Sequence, residues 1–68
     1  MQLKITLAAA RVNAGLTQED VANIMKVTKR TVINWEHGKV IPSLATTEKL
    51  AQIYKIPINN IFLPSKST

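Results

Sequence analysis

The residues best placed to do chemistry in this chain lie between Gln18 and Lys39. Set on a helix at about 100° per residue, Arg30, Asn34 and His37 share one side, with Lys29 and Ile33 on one flank and Thr31 on the other. Thr28, Val32 and Trp35 gather on the opposite side, which is expected to face a core. Arginine donates two hydrogen bonds to guanine O6 and N7, asparagine pairs in a similar way with adenine N6 and N7, and the methyls of Ile33 and Thr31 suit a thymine methyl. A merely solvated helix face is polar too. An exposed Ile33 and the lack of any acidic residue from Lys26 to Trp35 favour a surface that reads base edges.

Other chemistries have little to draw on. The chain has no cysteine and one histidine, so neither a thiolate centre nor a histidine pair is available. There is no glycine-rich phosphate loop, no metal-ligand cluster and no nucleophile with a base and an orienting acid. An enzyme is therefore not expected, nor a metal or cofactor. His37 is expected to cap a helix end or to meet a phosphate. Trp35 can in principle stack on a base, but its phase on the helix assigns it to the core.

The totals agree with this. Sixty-eight residues make one small domain, with 46% hydrophobic and 4% aromatic residues. Nine Lys and Arg against four Asp and Glu give a net charge of +5, which favours a polyanionic partner. Lys26, Lys29, Arg30 and Lys39 bracket one segment, while Glu19 and Asp20 sit where a helix begins and complement its dipole. No apolar run approaches the roughly 20 residues a membrane span needs. Met1 to Thr6 lacks the long apolar stretch of a signal peptide, and the absence of cysteine fits a reducing compartment. A cytoplasmic protein without membrane contact is expected.

These residues need elements to hold them. The pattern predicts four or five short helices and no sustained two-residue alternation. The first runs from after Thr6 to about Ala14 and is stopped by Gly15. Thr17 caps the second, with Asp20 completing a capping box and Leu16 stapling onto Val21. Lys26 and Val27 leave room only for a tight turn before Thr28 caps a third helix, about 28–37, which Gly38 ends. Ser43 caps a fourth, whose apolar residues are Leu44, Leu50, Ala51 and Tyr54; Thr46 and Thr47 are read only as its beginning. A last short helix after Pro57 would carry Ile58, Ile61 and Phe62. Leu3 and Ile5 are expected to cover the outside of the core. Residues 1–63 thus form the domain, and 64–68 a polar, frayed tail.

Two short helices joined by so tight a turn, with Val21, Met25, Val27, Val32 and Trp35 facing inward and the small Ala22 at the crossing, form a helix-turn-helix. The runs Leu16-Thr17-Gln18-Glu19-Asp20-Val21-Ala22, Val32-Ile33-Asn34-Trp35-Glu36-His37-Gly38-Lys39 and Pro42-Ser43 resemble the phage Cro/repressor, or XRE, type of DNA-binding domain. The likeness spans nearly the whole chain. It implies an all-α, lambda-repressor-like bundle whose third helix lies in the major groove. By the same resemblance Lys29, Arg30, Thr31 and Asn34 would meet base edges, and Ile33 joins them by its place on the flank of the helix. Gln18, Thr28, His37, Lys39 and Arg11 would meet the DNA backbone or support those that do, and Arg11 and Glu36 would form an internal ion pair. Lys26 and Lys55 depart from the family, which often has glycine there. If their backbone is left-handed, each costs ~1 kcal/mol against glycine. Tolerated strain is the plain reading, and a phosphate contact by Lys26 the alternative.

The function expected is that of a small regulator, a repressor, bound to double-stranded DNA as a homodimer on a two-fold operator. No separate dimerisation domain is expected within these residues. The expected interface, weak without DNA, involves Ile58, Ile61, Phe62 and the tail, or the loop between the third and fourth helices. The competing expectation keeps the fold but makes another protein the target, as for an antitoxin or an anti-repressor partner. It would use an apolar patch of Val40, Ile41 and the last helix.

Overall fold

A computed structural model of the chain describes residues 4–63. Strand β1 (Ile5–Thr6) leads directly into helix α1 (Leu7–Asn13), followed by α2 (Gln18–Met25), α3 (Lys29–Glu36) and α4 (Leu44–Tyr54). A 3-10 turn (Ile58–Asn60) and strand β2 (Ile61–Phe62) close the domain. The readings made for Leu3 and for the 64–68 tail lie outside the described residues.

Each α-helix starts on a hydroxyl side chain that accepts from a backbone N–H three residues on: Thr6 from Ala9 at 3.1 Å, Thr17 from Asp20 at 3.0 Å, Thr28 from Thr31 at 3.2 Å and Ser43 from Thr46 at 3.2 Å. Such caps satisfy donors that a helix start would otherwise leave unpaired. At α2 the cap is reciprocal, since the Thr17 backbone N–H donates to Asp20 Oδ2 at 2.9 Å. Those bonds from Thr17 hold the Asp20 carboxyl below the usual carboxylate range.

The helix ends are left-handed turns. Gly15 (φ 76°) and Gly38 (φ 75°) take that conformation freely, but Lys26 and Lys55 take it too, each at φ 60°. The resulting chain reversal after α2 is closed by Val27 N–H donating to Ala22 O at 3.0 Å, and after α4 by Ile56 N–H donating to Ala51 O at 3.1 Å.

The core consists of Leu7 and Ala10 of α1, Val21 and Ala22 of α2, Val32 and Trp35 of α3, Leu50, Ala51 and Tyr54 of α4, and Ile61. Ala22 is buried, as close packing of α2 on α3 requires. Leu16, Met25, Val27 and Ile5 pack against its margin.

Four expectations need correction. The segment after Pro57 is a single 3-10 turn and then a strand, which pairs in parallel with β1 in the register Ile5–Ile61 and Thr6–Phe62. The pairing turns Ile61 into the core and Phe62 outward, as alternation along a strand demands. Leu44, on the first turn of α4, is 70% exposed and contributes nothing to the core. Thr28 is exposed, because its side chain turns back to cap α3. Thr47 is buried; its hydroxyl donates to Ser43 O at 2.8 Å, which satisfies it inside the core.

Candidate nucleic-acid interface

The two halves of the helix-turn-helix are tied together by one carboxylate. Glu36, at the end of α3, accepts from Arg11 Nε at 2.7 Å through Oε2, and from Arg11 Nη2 at 3.4 Å and Gln18 Nε2 at 3.0 Å through Oε1. Arg11 uses its remaining fork nitrogen, Nη1, on Leu16 O at 3.0 Å. The Arg11 and Glu36 side chains are 15% and 4% exposed. The hydrogen bond to Glu36, outweighing desolvation, raises the guanidinium pKa further and keeps it charged. Three elements are thereby fixed at one point: α1 through Arg11, the start of α2 through Gln18, and the end of α3 through Glu36. The family resemblance implies the Arg11–Glu36 pair and a supporting role for Gln18; only the fold shows Glu36 as the acceptor shared by both. No periodicity links positions 11, 18 and 36.

Tyr54, buried on α4, lies close enough to feel both charges. Desolvation, reinforced by Glu36 and opposed by Arg11, pushes its hydroxyl up to about 12. The sequence placed Tyr54 in the core without suggesting this electrostatic neighbourhood.

Beyond that anchor, α3 projects outward. Lys29, Arg30, His37 and Lys39 are exposed, while Thr31, Ile33 and Asn34 are half-buried along its flanks. The Thr31 hydroxyl is already engaged with that of Thr28 at 2.9 Å, leaving its methyl as the group free to make contacts. Lys29 and Arg30 occupy the first turn of α3, which contains no acid, and neither forms a salt bridge among the described residues. Two cations at the positive end of a helix dipole are unfavourable by a few tenths of a kcal/mol each or more, roughly 0.3–1 in magnitude. An anion brought to this end is stabilised by the exposed N–H groups, the dipole and both side chains together.

Among the described residues no group of three or more His, Asp or Glu is arranged to hold a metal, and no helix is long and apolar enough to cross a membrane.

Comparison with known proteins agrees with this geometry. A helix-turn-helix family model, HTH_3, matches residues 7–61. The chain is 42% identical over 57 residues to the cryptic phage CTXphi transcriptional repressor RstR of Vibrio cholerae; the match covers 84% of this chain and 51% of the repressor, so the chain spans about half of that relative's length. An uncharacterised HTH-type transcriptional regulator of Methanocaldococcus jannaschii is 38% identical over 61 residues, covering 90% of this chain and 92% of its own. Another from Archaeoglobus fulgidus is 34% identical over 53 residues, covering 78% and 76%. No solved structure matches the chain significantly. With the fold, the exposed basic helix and the family match in agreement, the chain belongs to the XRE/Cro-type helix-turn-helix family, a family of DNA-binding transcriptional regulators and not of enzymes.

Proposed function

We propose that the protein is a repressor that inserts α3 into the major groove of a two-fold operator as a homodimer. The observation that carries this reading is the pair Lys29 and Arg30, exposed and without acidic partners at the positive end of α3. Folding gains nothing from that arrangement, whereas a phosphate or a guanine edge compensates it. Arg30 and Asn34 then read bases by paired hydrogen bonds, and Lys29, Thr31 and Ile33 complete the contact surface. Thr28, His37 and Lys39 meet phosphates on either side. Gln18 and Arg11 hold the recognition helix at its docking angle through Glu36, with Gln18 also close to the DNA backbone. Repression is supported by the similarity to a phage transcriptional repressor. The protein acts where the DNA it controls resides, which for a bacterial or phage operator is the cytoplasm.

The dimer seam is proposed at the loop between α3 and α4. There Val40 is 49%, Ile41 37% and Leu44 70% exposed, and Phe62 at the domain's closing strand is 50% exposed. Ile61 is spent in the core and Ile58 is half-buried, so of the closing segment Phe62 is the main contributor. The seam is proposed to be weak without DNA, with two half-sites about one helical turn apart bringing the copies together.

The same exposed apolar side chains also support the second reading, in which they receive another protein as an antitoxin or anti-repressor partner would. Selection from random duplex DNA, followed by titration of the recovered sequence at two salt concentrations, separates the two. A two-fold motif bound with a steep loss of affinity as salt rises is expected. Weak, unselective binding with little salt dependence would place protein recognition first.

A further inference from the structure

A second surface of the domain has features of a binding site that DNA reading does not use. Between the end of α2 and α4 lies a cleft of about 390 Å³, with Ile24, Met25 and Ile53 along its apolar side and Lys26 and Lys49 at its edges. An adjoining cleft of about 270 Å³ shares Met25 and Lys49 and runs on to Val27 and Trp35. Sharing those residues, the two form one groove whose lining mixes apolar side chains with Gln52, Thr46 and two cations and holds no acidic residue. Ile24 is 51% exposed there, and neither lysine forms a salt bridge among the described residues. The cleft on the other flank of α4 differs in being lined by both Glu48 and Lys55.

Lys26 holds its place against a backbone preference, since φ 60° favours glycine. Strain retained at an exposed position invites a functional reading when the side chain borders a cleft. Trp35, which lines it, is five residues on from Arg30, or about 140° around α3 at ~100° per residue, so the groove adjoins the core side of α3 and not the face that carries Arg30.

We propose that this groove binds an acidic amphipathic helix of a second protein, and that it does so while α3 remains on DNA. The apolar stripe of the helix lies over Ile24, Met25 and Ile53, and its carboxylates meet Lys26 and Lys49. Neighbouring apolar side chains suit the buried face of a helix, and flanking charges of one sign select partners of the other. A second copy of this chain fits poorly, because of its four acidic residues Glu36 and Asp20 are already engaged within the fold, which leaves only Glu19 and Glu48, on different helices.

The test titrates the full-length, 15N-labelled protein with a synthetic helical peptide bearing a leucine stripe and glutamates elsewhere. Controls are a scrambled peptide of the same composition, a peptide with lysine for every glutamate, and vesicles containing phosphatidylserine. Saturable amide shifts are expected at Ile24, Met25, Lys26, Lys49 and Ile53 with the acidic helix alone, and they persist when operator DNA is bound. Lys49→Glu should weaken the peptide about tenfold by placing like charges together. Lys26→Gly removes the cation while relaxing the backbone, so weaker peptide binding by a more stable domain cannot be attributed to misfolding. Equal binding of the scrambled or lysine peptide, a preference for the vesicles, or shifts centred on Arg30 and Asn34 would each overturn the proposal. So would a loss of DNA affinity on Lys49→Glu as large as that on Arg30→Ala, which would make the groove part of the DNA surface.

Discussion

Arg11 and Glu36, 25 positions apart in the chain, meet through Nε and Oε2 at 2.7 Å, and the same carboxylate takes the Gln18 amide at 3.0 Å. One ion pair thus sets both the packing of α3 on α1 and the position of the residue that opens α2. Breaking it from one side leaves a charge with little access to water. Arg11→Met is expected to destabilise the fold by roughly 2–4 kcal/mol, and Arg11→Met with Glu36→Met by clearly less than the two single changes added. Urea unfolding of the three variants measures both numbers; simple additivity would mean the pair is solvated and unimportant.

Arg30→Ala and Lys39→Ala test the division of labour on DNA. The first should cost ~1–3 kcal/mol on the preferred operator and relax selection at one base pair. The second should weaken all sequences alike and reduce the salt slope by about one. Competition binding against single-base operator variants at two salt concentrations distinguishes them, and two harmless substitutions would dismiss the docking proposed for α3.

The left-handed lysines make a prediction about the backbone alone. Lys26→Gly and Lys55→Gly should each stabilise the domain, by up to ~1 kcal/mol, because glycine takes φ 60° without a Cβ clash. Thermal unfolding is the check. Lower melting temperatures would show that the lysine side chains contribute more through packing than their backbone costs.

Tyr54 sets an alkaline limit. Its folded-state pKa of about 12 lies above the ordinary value of 10.0. From about pH 10 upward the unfolded chain therefore gives up the proton while the folded chain keeps it. The associated stability is complete below pH 10 and is lost as pH rises through about 12. Denaturation followed across that window should show a falling slope that Tyr54→Phe flattens.

The closing strand separates two adjacent residues. Ile61→Ala should cost about 2–4 kcal/mol, as expected for a buried aliphatic side chain cut to a methyl. Phe62→Ala should leave the melting temperature nearly unchanged and weaken assembly of the second protomer on a two-fold operator. Calorimetry and sedimentation with and without DNA read the two effects apart; a Phe62 variant that unfolds early would contradict the exposure on which this rests.

Much of this arrangement was legible in the residues. The hydroxyl caps at Thr17, Thr28 and Ser43 and the stops at Gly15 and Gly38 gave the helices nearly to the residue, because capping is a local interaction between neighbours in the chain. What escaped was non-local. Ile61 read as one face of a short helix because a two-residue strand has no period to detect, and its partner is Ile5 at the other end of the described chain. Leu44 looked like core by residue type, and only the direction of α4 shows that its first turn points outward. The outward face of α3 was visible from helical phase. The hub at Glu36 was not, since nothing but the tertiary fold brings α1, α2 and α3 to the same carboxylate.

The β1–β2 pairing has a mechanical meaning as well. Because the strands are parallel and lie near opposite ends of the described chain, tension applied at those two ends pulls them lengthwise in opposite directions. The ladder is then loaded in shear, and its hydrogen bonds must fail together; an antiparallel pair at the same place would peel open one bond at a time. A clasp of only two residues per strand gives the domain a catch that resists stretching along the strands and yields easily to sideways prying.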